Sequence, residues 1–151
     1  MWIYIQEVGQ SKSKTGNDGV IISNGHLTCF NIIVMNLKTG AAMMNHVCEC
    51  KHKGLSLSQV ESLEIFSQIQ GKKVALIIQG SRAERSPHAM QELKNRHIQT
   101  LPIMKLQSGV LCWNVEFDIN NRYLIATDEN QKILYEGNPF SENTVTASRV
   151  A

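Results

Sequence analysis

The chain has 151 residues, 42% of them hydrophobic, with a formal net charge of +2 and four cysteines. That length predicts one domain with a substantial core, and the near-balanced charge gives no reason to expect a nucleic-acid partner. The basic pairs Lys12/Lys14, Lys51/Lys53 and Arg82/Arg85 read as solvated surface. The opening Met1 to Val8 lacks the basic region and cleavage site of a secretory signal, and no apolar run approaches the roughly 20 residues that cross a bilayer, so a soluble protein made for a cytosol, without membrane insertion, is expected.

In chain order, Trp2 to Val8 alternates as a first strand, Gln10 to Asn17 reads as a polar turn, and Asp18 to Ser23 supplies a second strand through Val20-Ile21-Ile22. An apolar stretch from Cys29 to Met35, a turn at Asn36-Leu37-Lys38-Thr39-Gly40, and Ala41 to His46 read as a β-hairpin. Lys51 to Gly54 is a break. A helix follows with a capping box at Ser58 or two residues earlier at Ser56, an apolar stripe at Leu63, Phe66 and Ile69, and an end at Gly71. Lys73 to Gln79 is the clearest strand, its unbroken apolar run predicting burial on both faces. Ser86-Pro87 opens a second helix with Met90, Leu93 and His97 on one side. Strands are expected near 110–117, 122–126 and 132–135, and a mobile tail from Asn138. This order predicts an α/β (α+β) layered sandwich with mixed β-sheets and two main helices, a single domain over residues 1–137 and a tail over 138–151.

The hairpin carries the chemistry. With Lys38-Thr39 at its tip, Cys29 lies opposite Cys48 and diagonal to His46; with the tip one residue earlier, Cys29 lies opposite His46. Both registers put thiol and imidazole on one face, because side chains alternate with period two and diagonal neighbours are only about 7–8 Å apart. A thiol beside an imidazole is the minimum for nucleophilic acyl chemistry. Ser23, six residues before Cys29, is placed to accept a hydrogen bond from the other ring nitrogen.

Ser23-x-Gly25, then Thr28-Cys29, then a hairpin and His46 seventeen residues after the cysteine, resembles the CheD-type chemoreceptor glutamine deamidases, whose pattern is Thr-x-Gly-x-Gly-Ser-Cys-Val followed by Gly-Gly-x-x-His. The same arrangement is similar to that of glutamine-deamidating bacterial toxins resembling Burkholderia lethal factor. The resemblance covers about a third of the chain closely. His26 and Leu27 depart from it, as do Ala41-Ala42 and the Val47-Cys48-Glu49-Cys50 stretch. It implies a CheD-like sandwich and a cysteine-dependent protein-glutamine deamidase, of the chemoreceptor-modifying or the effector type. Cys29 would be the nucleophile, His46 the acid–base and Ser23 the ring's partner, with Gly25, Thr28 and Asn45 supporting or binding substrate. No cofactor is implied. The partner would be a receptor or host protein presenting a glutamine, reached in the protein's own cytoplasm or after delivery to a host cytosol.

Rival readings stand beside this one. The chemistry would also suit a thiol amidase or peptidase, or the fold could serve as a binding module without catalysis. The cysteines Cys29, Cys48, Cys50 and Cys112 are expected to be free thiols. His46-x-Cys48-x-Cys50-x-His52 has the composition of a zinc site, but on an extended strand it spreads over about 20 Å, so no metal is expected. His26 reads as a surface loop histidine, Cys112 and Trp113 as core, and Gln79-Gly80-Ser81 as a possible pocket wall.

Overall fold

A computed structural model describes residues 4–48, 54–80, 87–107 and 109–141. The strands are β1 (Ile5–Glu7), β2 (Ser13–Gly16), β3 (Val20–His26), β4 (Phe30–Asn36), β5 (Ala42–Val47), β6 (Lys73–Gln79), β7 (Gln99–Thr100), β8 (Met104–Lys105), β9 (Trp113–Asp118), β10 (Tyr123–Asp128) and β11 (Ile133–Gly137); the helices are α1 (Leu57–Gln68) and α2 (Pro87–Asn95). The described residues form two mixed sheets, ordered β1-β3-β9-β10-β11 and β2-β5-β4-β6-β7, with β8 also pairing β6. No helix among them is long and apolar enough to cross a membrane.

The sheets stack as two layers, and the helices form a third on the outer face of the second sheet. Alternation along β4 shows why. Ile33 and Met35 point between the sheets and pack with Ala42, Met44, Val115 and Phe117, whereas Phe30, Ile32 and Val34 point outward against Leu63 and Phe66 of α1 and Leu93 of α2. Every residue of β4 and β5 is therefore buried. Each large aliphatic side chain so placed stabilises by about 1.5–3 kcal/mol, which fixes the register of this hairpin more firmly than its loop does.

That register is Met35↔Ala42 through Phe30↔Val47, so Lys38-Thr39 forms the tip. The loop is closed by Asn36, whose Oδ1 accepts from the Lys38 and Thr39 amides, and by Gly40 at φ +78°. β6 pairs antiparallel with β4 and is buried at all but its first residue, as its apolar run predicts.

Several boundaries differ from those expected of the sequence. The polar stretch read as a turn contains β2, an edge strand that gains its place by pairing with β5 from Ser13↔Asn45 to Gly16↔Ala42. Ser56 is the helix cap, with Gln59 completing the box, and Ile69 is the exposed C-cap. On α2 the buried stripe is Ala89 and Leu93; Met90 is exposed, and His97 has left the helix at φ +57°. Phe140 is 2% exposed and meets Phe117 edge-on with centroids 5.7 Å apart, so the packed domain extends past Asn138. Residues 142–151 of the expected tail lie outside the described residues, as do Arg82, Arg85, Ser81, Ser86, Cys50 and the break at Lys51 to Lys53.

Candidate functional site at the rim between the sheets

Odd-numbered residues of β4 and even-numbered residues of β5 face the other sheet, and the same parity carries Cys29 and Cys48, just beyond these strands, to one end of the inter-sheet layer. Opposite them, the first sheet supplies Ser23 and His26 from β3 and Trp113 from β9. The described site is thus two cysteines, two histidines, a serine and a tryptophan, with Asn31 paired across the ladder to His46.

His46 is fully buried, and its Nδ1 lies 2.9 Å from Ser23 Oγ. The serine hydroxyl has one proton, and it is donated to the Val8 carbonyl at 2.8 Å. Ser23 must therefore accept from Nδ1–H, which fixes the ring in one tautomer and leaves Nε2 with an open lone pair. Nε2 is buried and has no hydrogen-bond partner among the described residues. One imidazole nitrogen of His46 and the sulfurs of Cys29 and Cys48 all lie within 4.8 Å of one another. Burial lowers the His46 pKa to about 4, so the ring is a neutral base at pH 7.

A bulge in β3 builds the rest of the site. Ser23 pairs with Val115 and His26 with Trp113, so Asn24 and Gly25 together oppose Asn114 alone. The extra residue turns His26 to the same inner face as Ser23, where strict alternation would have turned it out. Gly25 takes φ +77° to make the bulge, and its amide donates to Asn114 Oδ1 at 2.9 Å. Its role is conformational, and its N–H is committed rather than free to bind an oxyanion. His26 then stacks between His46 and Trp113, with ring centroids 3.9 Å from each.

His26 is not a surface residue; it is fully buried. Its Nδ1–H donates to the Trp113 carbonyl, and its Nε2 accepts from Asn31 Nδ2 at 3.2 Å. Desolvation first, and the neighbouring His46 second, lower its pKa to about 3, against a smaller opposing effect of the Trp113 carbonyl. The stack is therefore neutral, and His26 braces the face of His46 while Ser23 holds its edge. Trp113 is seated against Gly80, where an added Cβ would lie 2.6 Å from the indole nitrogen.

Gln59, which the sequence alone marks only as a cap, also reaches the site. Its Oε1 accepts from the Ser56 amide, and its Nε2 donates to the His46 carbonyl at 2.8 Å and to the Lys12 carbonyl at 3.0 Å. It occupies the apolar stripe of α1 with Leu63 and Phe66 and is fully buried. A polar residue at a stripe position was the available signal for such a tie.

The remaining expected residues are distributed differently. Thr28 is exposed beside Cys29. Asn45 faces away from His46; its Oδ1 accepts from Ser13 Oγ at 2.6 Å and its Nδ2 donates to the Ile32 carbonyl, so it joins β2, β4 and β5. Cys112 is a free, partly exposed thiol.

The expectation of free thiols fails at Cys29 and Cys48, which are joined in a disulfide. Strand register is the cause: it sets them directly opposite, with Cα atoms 4.6 Å apart, inside the range a disulfide spans. The cluster also has the composition of a soft-metal site, but in this state neither sulfur is a thiolate, and Cys50 and His52 lie outside the described residues. No protein-family model and no curated protein matches this sequence.

Proposed function

We propose that the reduced protein is a cysteine-dependent protein-glutamine deamidase with a CheD-like architecture. The observation that carries this reading is the Ser23–His46 hydrogen bond, which leaves Nε2 as the free base of a ring that has one nitrogen within 4.8 Å of the Cys29 and Cys48 sulfurs. The spacing of serine, cysteine and histidine matches the deamidase pattern, and a hydroxyl holding the catalytic imidazole is what that pattern requires.

In the reduced state, His46 takes the Cys29 proton as sulfur attacks the carboxamide carbon of a glutamine side chain. The imidazolium then gives that proton to the departing ammonia, leaving a thioester. His46 next activates water, which hydrolyses the thioester to glutamate and returns the thiol. Ser23 keeps the ring in register by accepting from Nδ1–H in both protonation states. Neutral His26 against the ring face adds no second positive charge when His46 is protonated. Each turnover exchanges an uncharged amide for a carboxylate on the target protein, a change sufficient to alter a signalling surface.

The test is incubation of reduced protein with cell extract in oxygen-18 water, followed by peptide mass spectrometry. Glutamine-to-glutamate conversion with incorporated label, absent with Cys29→Ala, is expected. Labelled new C-termini would identify a thiol peptidase instead, and no labelled product with either protein would favour a binding module.

A further inference from the structure

We propose that the Cys29–Cys48 bond is a reversible redox modification of the nucleophile, in which Cys48 is the resolving thiol and a dithiol reductant opens the site. The inference rests on the reading of Cys29 as the nucleophile and adds the condition under which it is available.

Three observations carry it. First, the bond does not hold its strands together. The β4–β5 hairpin is already paired at six successive positions and lies inside a sheet, with β2 on one side and β6 on the other. Second, the bond removes the one sulfur the dyad needs and leaves His46 Nε2 buried without a partner among the described residues. A buried orphan acceptor is an unfavourable arrangement, and reduction would restore S–H donors to two sulfurs that lie within 4.8 Å of one nitrogen of that ring. Third, the cystine sits at the rim. Cys29 is buried but follows the exposed Leu27 and Thr28 directly, so local opening of that loop is a route by which a reductant can reach the bond.

The exchange balances without another reagent. One thiolate of the dithiol attacks the cystine, forms a mixed disulfide with one cysteine and releases the other as thiolate. The second sulfur of the reductant displaces the remaining cysteine and leaves as a cyclic disulfide. Two electrons and two protons pass from the dithiol to Cys29 and Cys48. The oxidised form of the same reagent runs the reverse, accepting two electrons and two protons as the bond forms.

Wild type and Cys48→Ser, equilibrated in buffers spanning reduced to oxidised dithiothreitol, are trapped with iodoacetamide and mapped by peptide mass spectrometry. In wild type, the ratio of alkylated Cys29 to Cys29–Cys48 linked peptide should change about tenfold for each tenfold change in the reduced-to-oxidised reagent ratio. In Cys48→Ser, Cys29 should be alkylated throughout. A wild-type Cys29 alkylated equally in every buffer, a link to Cys50 or Cys112 in its place, or a Cys29–Cys48 link that survives the most reducing buffer would each overturn the proposal. The wild-type titration decides even if the variant fails to fold. A complete transition in a protein that never converts glutamine would overturn the deamidase reading while leaving the switch standing.

Discussion

Ser23 and His46 meet across the two sheets, 2.9 Å apart, and the serine's only proton points away from the ring toward Val8. One side chain thereby sets the tautomer, the tilt and the reactive nitrogen of the histidine. Ser23→Ala leaves Nδ1 and the Val8 carbonyl unpaired in a buried layer, a loss of about 1–3 kcal/mol in unfolding free energy. Turnover should fall about a hundredfold or more as the ring loses its fixed base, and Ser23→Thr, which keeps the hydroxyl, should retain most of both. Denaturant titration and initial rates on one target check the pair of variants.

His26 and His46 predict acid sensitivity with a defined sign. Both folded-state values, about 3 and about 4, lie below the ordinary 6.5, so the folded protein binds fewer protons than the unfolded chain. Their contribution is therefore complete above about pH 6.5 and is lost progressively as pH falls toward 4 and then 3. Every tenfold weakening of proton binding corresponds to about 1.4 kcal/mol, so the loss amounts to several kcal/mol. Thermal melts between neutral pH and pH 4 should show it, and His26→Gln should flatten the slope. An unchanged slope would contradict the buried neutral stack.

The bulge at Gly25 makes its own prediction. An added Cβ there meets nothing within 4 Å, so Gly25→Ala suffers only from φ +77°, about 1–2 kcal/mol. The cheapest relief is to straighten β3, which returns His26 to the outer face. The variant should remain folded yet lose ring-current shifts on the His46 protons in NMR spectra.

Gly80 acts on the same stack from the other side. Gly80→Ala would set its Cβ 2.6 Å from Trp113 Nε1, an overpacking effect of about 1–3 kcal/mol. Tryptophan fluorescence and His46-dependent reactivity should shift together, whereas a change in stability alone would separate Trp113 from the site.

How much of the site is legible in the sequence varies by residue. Alternation in the hairpin places Cys29 and His46 on one face, and spacing alone places Ser23 as the ring's partner. The choice between registers is not legible, because it depends on burial along the whole of β4 and β5; it is this choice that sets Cys48 opposite Cys29. His26 is misplaced because a one-residue bulge inverts parity, and its signal, a glycine before the histidine, is shared with ordinary turns. β2 escapes notice because an edge strand of Ser13-Lys14-Thr15-Gly16 has no apolar pattern of its own. Gln59 reads as a cap in the sequence, and only the fold shows its amide reaching the His46 carbonyl.

Activation of Cys29 by His46 is tested most directly by iodoacetamide alkylation of the fully reduced protein from about pH 5 to about pH 9, with Cys112 as the internal control. Cys29 is expected to react faster than Cys112 well below the free-thiol pKa of about 8.5 and to lose that advantage in His46→Ala. Cys29 reacting no faster than Cys112 in wild type, or equally fast in both proteins, would contradict it.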